Sequence, residues 1–206
     1  LSRCIDSAAA PVVVVHGLWM GAWQMSTLKA ALVRGGHRSY RYHYASALSS
    51  YSRNQDGLAR LVNERVGAPC DFVAHSLGGL LVLDLLQQKP ELCAGRVVCL
   101  GTPINGSAVI ARLQSTPLRT VVGYAGAALL RGAQAPASHI KVSMLAGTRS
   151  LGGGKLLARL DGPNDGSVCL SETQAPWLAH HDQLPLTHTQ LIFSPRAQRR
   201  VMELLA

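Results

Sequence analysis

Phe72-Val73-Ala74-His75-Ser76-Leu77-Gly78-Gly79-Leu80 is the stretch on which the fold turns. An apolar strand pattern over residues 71–74 runs straight into a helical one over residues 77–88, which stops ahead of Pro90. A serine at such a junction is lifted out at the carboxyl edge of a sheet. The residues two places to either side must then be small, because the backbone nearly folds back on itself. Ala74 and Gly78 meet that steric demand. Serine is also a favoured helix cap, so the turn by itself leaves two roles open for Ser76. The free N–H groups of a helix start favour a developing anion, and matching partners lie downstream, which together favour a nucleophile.

Outward from this junction the chain keeps a strand-helix rhythm. Pro11 is followed by Val12, Val13, Val14 and Val15, a continuous β-branched run that suits a strand buried on both faces of a parallel sheet, and it ends at His16-Gly17. A helix is expected over residues 23–34, closed by Gly35-Gly36, and a strand over 39–44. Residues 55–66 read as a helix with Leu58, Leu61 and Val62 on one face. Residues 96–100 and 140–146 read as further buried strands, and Trp177-Leu178-Ala179 as a candidate last strand. Ser194-Pro195 has the form of a helix start, and Val201, Leu204 and Leu205 give the final helix an apolar face. Alternating strands and helices predict an α/β fold with a mostly parallel central sheet flanked by helices.

Composition agrees with one compact domain. The 206 residues are 48% hydrophobic and 15% charged, without repeats or an extended polar tract. The formal charge of +9 invites a nucleic-acid partner, but the arginines are scattered, and the densest group, Arg196, Arg199 and Arg200, occupies polar positions of the last helix. No nucleic acid is expected; a basic surface suits anionic interfaces, so contact with a membrane surface stays open. Five cysteines at irregular spacing form neither a disulfide framework nor a zinc site, so no metal is expected. Their odd number points to a reducing, cytoplasmic compartment; a signal removed ahead of Leu1 would place the protein outside it. No apolar run reaches the length of a membrane span.

The whole chain, from Val12 to about Leu205, resembles the α/β-hydrolases. It is most similar to small bacterial lipases and esterases whose nucleophile turn begins with alanine, as in Ala-His-Ser-Leu-Gly-Gly here. The resemblance implies a single domain over residues 1–206 with little or no cap, and an acyl-enzyme formed on Ser76. It implies an oxyanion hole of two backbone N–H groups, from Leu77 after the nucleophile and from Leu18 after His16-Gly17. The family delivers its triad in the order serine, acid, histidine, which calls for a late base. His188, just ahead of the final helix, is the expected base, with His180 and His181 as competitors. Among Asp161, Asp165, Glu172 and Asp182, the acid is expected at Asp165. Its Asn164-Asp165-Gly166 setting resembles the acid loop of many esterases, although Asp-Gly is also an ordinary turn. Asp161 is the main alternative.

The resemblance implies a carboxylic ester as substrate and no cofactor. Residues 104–136, rich in apolar side chains and poor in charge, are expected to form either a small lid or pocket wall over an acyl chain or a helix simply packed on the sheet. Thr102-Pro103 with Gly106-Ser107 resembles a segment common in lipases, which favours alkyl or lipidic esters. The same residues would serve an acyltransferase or thioesterase, and a non-catalytic binding protein on this fold is the remaining alternative.

Overall fold

The structure, a computed structural model, describes residues 9–151, 160 and 162–206. Strand β1 (Val12–Val15) is the valine run, and all four side chains are buried. Strands β2 (Ser39–Tyr42), β3 (Cys70–His75), β4 (Cys93–Leu100), β5 (Lys141–Gly147) and β6 (His180–Leu184) join it in one sheet. The order is β2-β1-β3-β4-β5-β6 and every pairing is parallel.

Successive side chains of a strand point to opposite faces, and the two halves of the core follow from that alternation. Val13, Val15, Phe72, Ala74 and Val97 pack on one face, under helices α2 (Tyr51–Arg60), α3 (Leu77–Gln88), α4 (Ala108–Leu113) and α5 (Gly126–Arg131). Val12, Val14, Val73 and Val98 pack on the other, under α1 (Ser26–Arg34), α6 (Gln190–Phe193) and α7 (Pro195–Leu205). Helix α3 is buried on nearly every side, which explains a sequence with almost no polar face. Among the described residues no helix is long and apolar enough to cross a membrane.

Sheet order determines where a site can form. From β1 the chain runs out to β2, then returns to the opposite side of β1 to lay down β3. Loops diverge at such a reversal and leave a crevice at the carboxyl ends of the strands. Register aligns those ends: Val15 lies beside Ala74, Ala74 beside Cys99, and Leu100 beside Leu145. His16-Gly17, Ser76 and Gly101 therefore emerge together.

Several boundaries differ from the sequence reading. Helix α2 starts at Tyr51 rather than 55, because Ser50 caps it by accepting from the Arg53 amide at 3.4 Å. Strand β4 starts at Cys93, three residues ahead of Arg96. The last strand is β6, not Trp177-Leu178-Ala179; Trp177 and Leu178 pack against the core ahead of it. Ser194 caps α7 with Pro195 in its first turn, as its sequence implies.

Candidate active site

Ser76 stands between β3 and α3 with φ 55° and ψ −124°, a conformation that costs a non-glycine residue on the order of 1–3 kcal/mol. Its amide donates to the Leu100 carbonyl at 2.9 Å, which fastens the turn to β4. Its hydroxyl makes no capping bond to α3, so the cap role allowed by the sequence is not used. Gly78 is required for the turn to close, since a β-carbon there would strike the carbonyls of His16 and Val15.

His188 arrives in the loop after β6. Its Nδ1 lies 2.6 Å from Oδ2 of Asp165, and its amide donates to the Asp165 carbonyl at 2.9 Å. Asp165 is buried, and its other carboxylate oxygen, Oδ1, accepts from the amides of Ser167 at 2.9 Å and Val168 at 2.8 Å. A carboxylate satisfied in this way can be held away from water as an anion. Gly101 makes room for the pair. It has φ 57°, and a β-carbon would stand 3.0 Å from His188 Nδ1 and 3.1 Å from Asp165 Oδ2.

The end of β1 is held by His16. Its Nδ1 lies 2.9 Å from the Gly17 carbonyl, which can only accept, so Nδ1 carries the proton and Nε2 accepts from the Tyr44 amide at 3.3 Å. The Gly17–Leu18 peptide is trans, which directs the Leu18 N–H opposite to the carbonyl that His16 holds. The next amide, of Trp19, is taken by Ser46 Oγ at 3.0 Å, and Trp19 itself has φ 55°. Leu77 is the first residue of α3, so no carbonyl a turn earlier in the helix takes its N–H.

Burial pushes the His16 imidazole down to about 4, against 6.5 for a free histidine. Between those values the unfolded chain binds a proton that the folded chain refuses, so stability is lost as pH falls. Wild type should lose about 3 kcal/mol more than His16→Asn between pH 7 and pH 4. Asparagine keeps a donor near Nδ1 and does not titrate. Urea unfolding of both proteins at the two pH values measures this. The paired comparison is needed because burial raises Asp71, Asp84 and Glu172, which titrate with the opposite sign.

Ser76 and His188 line one cavity of about 240 Å³. Leu18, Trp19, Ile110, Leu113, Val122 and Leu129 supply much of its wall, so residues within 104–136 face the serine as well as packing over α3. The structure thus brings together Ser76, Asp165, His188, Leu18 and Leu77. His180 and His181 lie elsewhere. They sit in β6 beside Ser143 and Met144, and His181 is three residues, or about 10 Å, short of the carboxyl edge. His181 Nε2 is instead 2.9 Å from Thr173 Oγ1. Asp182 pairs with Arg200 at 2.6 Å, and Glu172 accepts from the amides of Ala108 and Cys169. Asp161 lies outside the described residues. The sequence reading missed Ser46, which lies in a loop without periodicity, and gave no role to the side chain of His75.

A model of the alpha/beta hydrolase family matches residues 12–205. Among solved structures, the mature form of the Bacillus licheniformis lipase BlEst2 is similar with a TM-score of 0.82 at 22% identity, over 98% of this chain and 94% of that one. The metagenomic carboxyl esterase MGS0156 gives 0.72 at 19% identity, over 97% and 75%. The Paleococcus ferrophilus monoacylglycerol lipase gives 0.61 at 17%, over 96% and 95%. Among curated proteins none matches.

Proposed function

This chain belongs to the alpha/beta hydrolase family, and on that premise we propose that it hydrolyses carboxylic esters with an apolar acyl chain through an acyl-enzyme on Ser76. The observation that carries this reading is the short His188–Asp165 contact, with His188 and a strained Ser76 both lining one largely apolar cavity. In the first half-reaction Ser76 Oγ attacks the ester carbonyl while His188 Nε2 removes its proton. Asp165 holds the opposite nitrogen as the donor and stabilises the imidazolium. The oxyanion rests on the Leu18 and Leu77 amides. His188 then returns the proton to the leaving alcohol, the acyl-oxygen bond breaks, and water repeats the cycle on the acyl-serine.

Cavity size supports a medium acyl chain. A methylene occupies about the volume of a water molecule, roughly 30 Å³, so 240 Å³ holds about eight of them. Exposed Trp19 and Val121 line the cavity, and exposed Leu48 and Tyr124 are neighbours because the Tyr124 amide donates to Ala47 at 3.1 Å. Such an apolar rim suits contact with a lipid surface.

A series of linear alkyl fluorophosphonates tests the reading. One adduct per chain is expected, on the peptide containing Ser76. An octyl reagent should label about tenfold or more faster than the methyl one, since each buried methylene contributes about 0.8 kcal/mol. Folded protein that gains no adduct on Ser76 would remove the proposal.

A further inference from the structure

His75 ends β3 immediately before Ser76, and acyl transfer has no direct use for its ring. The side chain is buried, with Nε2 3.1 Å from the carbonyl oxygen of His188. A carbonyl can only accept, so Nε2 carries the proton. Nδ1 is then bare, buried and, among the described residues, without a hydrogen-bond partner. It faces Gly17, where a β-carbon would lie 3.0 Å away. The rings of His75 and His188 are 4.5 Å apart, centroid to centroid, at 51°. The imidazole of His75 is thus wedged between the strand end that carries the Leu18 amide and the loop that carries His188.

A leucine or phenylalanine would fill this space without stranding a polar nitrogen. What neither would supply is the Nε2 donor. We propose that His75 is a positioning residue whose Nε2–H pins the main chain of His188 and whose ring backs the His188 imidazole, keeping the latter aimed at Ser76. This rests on the proposed function of the site. Among the described residues His188 is held at three atoms, and two of the bonds, from its amide and from Nδ1, go to Asp165. The third reaches its carbonyl and comes from His75. Without it the His188 carbonyl is unpinned and the residue can turn about its two Asp165 contacts, carrying Nε2 away from the hydroxyl.

The charged and titratable groups facing His75 are His188 and, across Gly17, His16; burial and the neighbouring His188 hold His75 neutral. That neutrality suits the role. When His188 becomes an imidazolium in the catalytic cycle, a second cation against its ring would oppose the step.

Three variants, His75→Leu, His75→Asn and His75→Gln, test the proposal by steady-state kinetics on an octanoate ester, with thermal melting as the check on folding. Glutamine carries an N–H at about the reach of Nε2, whereas asparagine stops short of it and leucine has none. His75→Leu and His75→Asn should lower kcat by about 10- to 100-fold with KM within about twofold of wild type, the scale of a misplaced catalytic group. His75→Gln should recover most of that loss. If His75→Leu fails to fold, the comparison of Asn with Gln decides alone. Equal kcat for Gln and Asn, or a loss confined to KM, would overturn the proposal while phosphonate labelling of Ser76 in wild type persists. Absence of labelling in wild type would overturn the underlying function instead.

Discussion

Ser76→Ala is expected to lower kcat for ester hydrolysis by about 10⁴-fold or more, with KM near that of wild type. The cavity and the Leu18 and Leu77 amides remain, so substrate should still bind; on the proposed reading the oxygen that forms the covalent bond is gone. Steady-state assay at enzyme concentrations high enough to see the residual rate measures the loss, and a variant retaining a tenth of wild-type activity would exclude Ser76 as nucleophile. A companion substitution separates chemistry from strain. Ser76→Gly should be equally inactive yet more stable, since glycine adopts φ 55° and ψ −124° without steric cost. Relief of about 1–3 kcal/mol, offset by about 0.5–1 kcal/mol of added chain entropy, leaves a net gain of about 1 kcal/mol. Thermal melting should report a rise of about 2–4 °C.

Asp165→Asn should lower kcat by about 10³- to 10⁴-fold without a comparable loss of stability. Oδ1 of Asp165 accepts two main-chain amides, from Ser167 and Val168. An asparagine must therefore place its amide oxygen there, and its NH₂ falls where Oδ2 meets His188. Two donors cannot face each other, so His188 is forced to bare Nδ1 and carry its proton on Nε2. That nitrogen can no longer take a proton from Ser76. The check is kcat together with urea unfolding: an isosteric change that leaves the midpoint near wild type and removes activity supports the orienting role. An Asn variant within threefold of wild type would assign that role to another carboxylate.

Much of this was legible in the chain itself. The valine run and the small residues flanking Ser76 each leave a local trace, because each is dictated by sterics within a few residues; His188, one of three late histidines, was singled out by the family resemblance and its place ahead of Ser194-Pro195. Strand β6 left a weaker one. It lies at the sheet edge and reads His-His-Asp-Gln-Leu, partly exposed and without the β-branched run that marks a strand covered on both faces. The turn after β1, which carries Leu18, was legible in position but not in its hydrogen bonds. Its geometry depends on His16 and Tyr44, 28 residues apart, and on Ser46, 27 residues from Trp19. His75 was hidden for the same reason, its partner being 113 residues away. Contacts of that kind are set by sheet order, which periodicity does not encode.

The crowding around Gly78 and Gly101, next to Ser76 and His188, and the aliphatic wall of the cavity have different prospects for change. On the sheet side, main chain meets main chain or the His188–Asp165 pair with no room for one further carbon. Redesign for bulkier acids or alcohols has nothing to carve there. On the helical side, Ile110, Leu113, Val122 and Leu129 meet the cavity through aliphatic side chains alone, and such walls tolerate exchange of size so long as total volume is kept. Diversification of substrate range should therefore accumulate in α4, α5 and the turns joining them, while the reacting edge stays as it is.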